Sequence, residues 1–295
     1  MNCALIVDAK NAVGESPVWV PEHNALYWVD IPVGTLWRWS AADGSTTTWQ
    51  LPEMVGCVAH VGDDQWVGGF VRMVAEFTLL APGLTAANPI KLLPSITQGM
   101  RFNDGRCDRQ GRLLAGTMFM DMSAAKRVGK IYQFDGRATA RELLDDFITP
   151  NGMAFSPDGR TMYISDSHPS VQTIWAFDYD TDTGTPSNRR VFVDMHDFPG
   201  RPDGAAVDAD GCYWICGNDA GLVHRFTPTG KLDRSLAVPV KKPAMCAFGG
   251  VNLDVLFVTS IRPSDTDLSD QPLAGGMFAL EPGVRGLPEP KFKFS

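Results

Sequence analysis

The chain has 295 residues and a formal net charge of −8, and 44% of it is hydrophobic, a globular composition rather than a disordered one. No Lys/Arg cluster interrupts the acidic balance, so nucleic acid and anionic membrane surfaces are excluded as expected partners. No apolar run reaches membrane-spanning length, which predicts no transmembrane helix.

The opening residues Met1 to Asp8 lack a basic n-region, which argues against a signal peptide and for a cytoplasmic protein. The six cysteines (Cys3, Cys57, Cys107, Cys212, Cys216 and Cys246) match no zinc spacing, because Cys212 and Cys216 form a lone C-x3-C. Reduced, mostly buried thiols are expected, with a disulfide pair as the alternative.

Short apolar runs separated by turn residues follow one another along the chain, an all-β rhythm. A strand near Ala4–Ala9 comes first. Next, Glu15-Ser-Pro-Val-Trp-Val-Pro-Glu-His23 leads into Asn24-Ala-Leu-Tyr-Trp-Val-Asp30, reading as strand, turn, strand. A weaker copy runs from Gly56 through Gly69. Three clear copies start at Asn103, Asn151 and Asp203, each with a Gly-containing turn (Gly111, Gly159, Gly211) before a second apolar strand. A last, weaker copy starts at Cys246. Third strands are expected at Gly129–Asp135, Thr173–Asp178, Gly221–Phe226 and Gly276–Leu280.

The clear copies lie 48 and 52 residues apart, and the 88 residues from Glu15 to Asn103 hold two repeats of about 44. Periods of this length with several short strands each are the signature of propeller blades. The expectation is an all-β, six-bladed β-propeller with four-stranded blades, formed by residues 1–295 as one domain. The N-terminal strand should close the ring by joining the C-terminal blade, because an open ring leaves an exposed edge. A β-sandwich with an accidental repeat is the alternative.

Aligned on their turns, the clear copies place Glu15, Asn103, Asn151 and Asp203 in one column, at the mouth of the central channel. In the weak copies the column falls near Gly56 and Met245. A packing position would be Val or Ile. Oxygens converging on a buried mouth are costly unless a cation or substrate satisfies them. Two carboxylates with amide oxygens suit a hard or borderline divalent ion, and few protein ligands leave open coordination places. One Asn-Gly or Asp-Gly alone is more often a turn; the weight lies in four sharing a register.

These residues resemble the regucalcin/gluconolactonase family of calcium- or zinc-dependent sugar lactonases. The likeness runs through Gly14-Glu15-Ser16-Pro17, Arg101-Phe102-Asn103-Asp104-Gly105, Gly116-Thr117-Met118, Pro150-Asn151-Gly152, Ser187-Asn188-Arg189-Arg190, Pro202-Asp203-Gly204, Phe248-Gly249-Gly250 and Ala274-Gly275-Gly276. It implies that Glu15, Asn151 and Asp203 hold one divalent ion (Ca, Zn, Mn, Mg or Fe), with Asp203 also the catalytic base. It implies that Arg101 and Asn103 bind the substrate, a small-molecule sugar lactone. Where some members carry Glu after Gly-Thr-Met, this chain has Phe119-Met120-Asp121-Met122, a loop expected to cover the pocket, and Asp121 is counted with the substrate contacts. An esterase or phosphotriesterase-like hydrolase and a non-catalytic calcium-binding propeller remain as other readings. Arg72, Arg201 and Arg262 lie near strand ends, where they could meet an anionic substituent, and His168 is a candidate loop contact.

Overall fold

The computed structural model describes residues 3–81, 83, 85–93, 98–136 and 140–294. Its strands form six antiparallel sheets of four strands each, a six-bladed β-propeller. Blades one to five each take four consecutive strands, spanning residues 14–50, 57–92, 100–147, 150–194 and 201–237. Blade six takes Pro243–Gly249, Val255–Ser260, Met277–Leu280 and, as its outermost strand, Cys3–Val7. Cys3, Ala4 and Leu5 pair with Leu280, Ala279 and Phe278, so the N-terminus closes the ring as expected, two residues short of the span read from the sequence.

Innermost strands are buried on both faces. Gly14–Val20 and Pro243–Gly249 are buried throughout, whereas the outer strand Thr185–Asp194 is mostly exposed. Inner strands are buried even where they carry polar residues, as Met100–Cys107 does with Arg, Asn and Asp, and outer strands face solvent. Aromatic rings join neighbouring blades: Tyr27 meets Trp66 at 4.7 Å, Tyr163 meets Tyr213 at 4.9 Å, and Trp19 stacks on Phe257 at 5.6 Å. Each fully buried ring of this size removes about 200 Å² from water, roughly 5 kcal/mol of favourable transfer.

The repeated turns close as predicted. The amide of Gly111 donates to the carbonyl of Asp108, that of Gly159 to Ser156 and that of Gly211 to Asp208. All three glycines have positive φ, which a side chain resists. Helix is confined, among the described residues, to three 3₁₀ turns of three residues each, and none is long or apolar enough to cross a membrane.

The residues after the last strand run across the lower end of the channel. There Arg106 pairs with Glu289 at 3.3 Å, Phe292 is buried, and the amides of Phe292 and Lys293 donate to carbonyls of His60 and Gly111. Access to the channel is thus concentrated at the upper mouth, where the inner strands begin.

Candidate active site at the channel mouth

Asn151-Gly152 and Asp203-Gly204 lie inside the first strands of blades four and five rather than at turns. Pairing to the second strand is interrupted just there: between Glu15 and Val18, Phe102 and Gly105, Asn151 and Ala154, and Pro202 and Ala205. A bulge inserts an extra residue and re-aims side chains. Repeated at one register, it turns the first residues of the inner strands toward the axis. Ser16 and Gly152, the residues after Glu15 and Asn151, have φ of 50° and 62° as part of this distortion.

The expected cluster forms. Glu15, Arg101, Asn103, Asn151 and Asp203 all line one cleft of about 160 Å³, together with Ser167, Asn218, Arg201, Thr149 and the apolar Val13, Ile31, Met118, Met122 and Ile261. The two weak copies explain themselves sterically. A Cβ on Gly56 would stand 2.4 Å from the Phe102 carbonyl oxygen and 2.6 Å from that of Asn103, so blade two can carry no side chain there. Met245 covers Gly204, whose Cβ would meet its Cγ at 2.3 Å.

A chain of hydrogen bonds crosses three blades. Arg101 donates through one guanidinium nitrogen to the Phe102 carbonyl at 2.8 Å and to Asn103 Oδ1 at 2.7 Å. Asn103 Nδ2 donates to Asn151 Oδ1 and to the Pro150 carbonyl, both at 3.0 Å. Asn151 Nδ2 donates to Ser167 Oγ at 2.6 Å, and that hydroxyl donates to the Pro202 carbonyl. Asn218 Nδ2 donates to Asp203 Oδ2 at 2.6 Å, and Ser16 N to Glu15 Oε2 at 3.3 Å. The second oxygen of each carboxylate has no hydrogen-bond donor among the described residues.

Burial sets the electrostatics. It raises the Glu15 carboxyl well above the ordinary carboxylate range, and the Asp203 and Asp104 charges add to the rise. Burial likewise lifts Asp203 to about 7, against the lowering effect of the Asn218 hydrogen bond. Arg101 is lowered to about 10 by burial, although Glu15 and Asp203 favour its charged form. Two buried carboxylates at one mouth, each offering an open oxygen, with the Asn151 amide oxygen beside them, match the donor chemistry of a hard divalent cation. Among the described residues no three His, Cys, Asp or Glu side chains converge on one point; the donor set here is two carboxylates with amide oxygens.

Other expected residues fall elsewhere. Asp121 is exposed and does not line the cleft; its carboxylate accepts from the amide and hydroxyl of Ser123, capping a 3₁₀ turn over Met122–Ala124. Met118 and Met122, not Asp121, face the cleft. The His168 ring bonds the Ser170 hydroxyl at 2.7 Å and is outside the lining. Arg201 does line it, whereas Arg72 and Arg262 do not.

Two contributors, Ser167 and Asn218, escaped the sequence reading. Both occupy the same place, at or just past the end of a second strand, and each holds the mouth residue of its own blade. The signal was present as a second column, Ile31, Met118, Ser167, Asn218 and Ile261, all of which line the cleft. Asp30 and Asp166 beside it are structural: the Asp30 carboxylate ties down the backbone amides of Ala12 and Val13, and that of Asp166 the amides of Ile148, Thr149 and His168.

Residues 13–262 match the family described as the SMP-30/gluconolactonase/LRE-like region. The chain is 37% identical to the 6-deoxy-6-sulfogluconolactonase of Pseudomonas putida, over 97% of each chain. It is 34% identical to the L-arabinolactonase of Azospirillum brasilense, over 98% of this chain and 94% of the relative. The crystal structure of regucalcin from Agrobacterium tumefaciens, described as a calcium-binding protein, superposes with a TM-score of 0.90 at 28% identity, covering 98% and 97% of the two chains. With the fold, the register of the mouth residues and these likenesses in agreement, the chain belongs to the SMP-30/gluconolactonase/LRE-like family.

Proposed function

We propose that this protein is a lactonase that opens a sugar lactone to the aldonic acid with the help of one divalent cation. The carrying observation is the convergence of Glu15, Arg101, Asn103, Asn151 and Asp203 on one cleft, with one oxygen of each carboxylate left open. The lactonase relatives support the substrate class, and the calcium-binding description of the regucalcin structure supports a cation. Residues 1–295 are read as one domain, since the N-terminal strand completes the C-terminal blade. Six unpaired cysteines, five of them buried, support a reducing, cytoplasmic setting.

Glu15, Asn151 and Asp203 would hold the cation. Bound there, it would supply Lewis acidity toward the lactone carbonyl. The protein's own groups do the rest. Asp203 is held through Oδ2 by Asn218, so Oδ1 can accept the proton of an attacking water. As water adds to the carbonyl carbon, its proton passes to Asp203 and from there to the ring oxygen, whose bond to that carbon breaks, giving a carboxylic acid and a hydroxyl and leaving Asp203 ionised. Arg101 has guanidinium N–H groups beyond those engaged with Phe102 and Asn103, and these suit substrate hydroxyl or carbonyl oxygens. The apolar side chains around the cleft limit access of bulk water.

The test is lactone hydrolysis followed with a pH indicator, after stripping with chelator and return of Ca, Zn, Mn, Mg or Fe singly. Turnover of hydroxylated lactones that vanishes with chelator and returns with a cation supports the proposal. Full activity without any cation overturns the metal role. Preference for aryl esters or phosphotriesters overturns the substrate class, and cation binding without turnover of any of them overturns the enzyme reading.

A further inference from the structure

We infer that the substrate carries an anionic substituent, received by Arg201, which lines the cleft, with Lys242 and Arg262 as the cations next to it. The inference rests on the lactonase reading of the same site and names its substrate class more narrowly.

Arg101 and Arg201 are the two cations in the cleft lining. Arg101 is buried among Glu15, Asp203 and Asn103 and belongs to the reacting end. Arg201 lies on the side of blade five, about one fifth exposed. Its Nε donates to Asp219 Oδ2 at 2.7 Å, and one terminal nitrogen donates to the Ser167 carbonyl at 3.2 Å. The other oxygen of Asp219 takes the ammonium of Lys242. Two cations therefore share one carboxylate, leaving a unit of positive charge uncompensated.

The arc continues into blade six. The Lys242 carbonyl accepts from the amide of Ile261, itself a lining residue, and Arg262 follows directly. The Arg262 guanidinium touches only the Ala274 carbonyl, at 3.4 Å, and makes no ion pair among the described residues. Arg201 in the lining, Lys242 beside it on Asp219 and Arg262 next to the lining residue Ile261 thus gather three cations along one side of the cleft, in a protein whose net charge is −8. Lys241 points its charge elsewhere, to Asp270.

The rest of the cleft divides into an apolar side and the reacting end. Val13, Ile31, Met118 and Met122 are its apolar side chains, and Glu15, Asp203 and Arg101 are taken up by the cation and the lactone carbonyl end. A lactone with a neutral ring and an anionic end would be oriented by this polarity: carbonyl toward Arg101, anion toward Arg201. Sulfonate, phosphate and carboxylate share the required chemistry, a compact group of acceptor oxygens suited to a guanidinium fork and an ammonium.

The experiment uses the cation-loaded protein. It compares a neutral aldonolactone with lactones of the same ring bearing a terminal sulfonate, phosphate or carboxylate. The best anionic lactone is expected to exceed the neutral one in kcat/KM by about ten- to a hundredfold, the worth of one or two charge-assisted contacts. Lys242→Gln and Arg262→Gln should each cut that ratio about threefold or more, mainly through KM. In the unaltered protein the ratio should fall as ionic strength rises, a readout that does not depend on any variant folding. A neutral lactone turned over as fast as all three anionic ones, or a ratio insensitive to salt and to both variants, overturns the inference while leaving the lactonase reading intact. Hydrolysis of no lactone overturns the lactonase reading and this inference with it. Among the three anionic arms, the fastest identifies the group.

Discussion

Asp203→Asn separates the electrostatic cost of the site from its chemistry. In the cation-free protein, burial raises the Asp203 carboxyl from 3.8 to about 7. A carboxyl whose folded value lies above its unfolded value destabilises the fold when ionised. The stability is fully present below about pH 4 and is lost as the pH climbs toward 7. At about 1.4 kcal/mol per unit, the loss is roughly 4 kcal/mol at pH 8 and about 2 kcal/mol at pH 5. Asparagine is nearly isosteric, keeps an oxygen for Asn218 and removes the charge. The hydrogen bond from Asn218, at 2.6 Å, becomes neutral and gives back about 1 kcal/mol. The variant should therefore be stabler than the wild type in EDTA by roughly 3 kcal/mol at pH 8, and by clearly less at pH 5. Thermal scans with EDTA at both pH values measure this as a rise of several degrees at pH 8. Calcium should then raise the wild-type melting temperature and move that of the variant little. At saturating cation the variant's kcat should fall by about a hundredfold or more, as loss of a general base does. A variant less stable than wild type in EDTA at pH 8 would refute the electrostatic account. Near wild-type kcat at saturating cation would mean that Asp203 is only a ligand.

Other outcomes follow from single contacts. Gly56→Ala should lower stability by about 2 kcal/mol or more, because its Cβ meets two blade-three carbonyl oxygens at 2.4 and 2.6 Å; it should also raise KM by shifting Asn103, and an unchanged melting curve would contradict the steric reading. Arg101→Ala should raise KM and lower kcat/KM more for polyhydroxylated lactones than for simple aliphatic ones, which a substrate panel checks. Asn151→Ala should weaken cation affinity, with activity partly restored by excess cation in a titration. Arg225→Leu should cost roughly 3 kcal/mol, since it strips the fully buried Asp208 carboxylate of its ion pair at 2.8 Å; urea titration measures it.

The blade count, the closing strand and the mouth column were all legible in the sequence. A propeller repeats one local solution, an inner strand with a Gly turn and a second strand, so aligning the turns aligns positions in space. Asn103, Asn151 and Asp203 could be paired across some fifty residues for that reason alone. What the chain pattern could not settle was where each side chain spends its polar groups, because those partners come from other strands and loops. Asp121 had the composition of a substrate contact, yet a local Ser123 amide and hydroxyl satisfied it first and left Met122 facing the cleft. Asn218 carries no signal of its own in the sequence; its amide reaches Asp203 at 2.6 Å beside the bulge in the first strand of blade five. Arg201 and Lys242 lie 41 residues apart in sequence and become one feature only through Asp219. The periodic hydrophobic pattern specifies the ring because it is repeated and local; the orientation of the polar groups in the mouth is decided largely by tertiary contacts, since bonds such as Asn103 to Asn151 and Asn218 to Asp203 join residues that no local pattern relates.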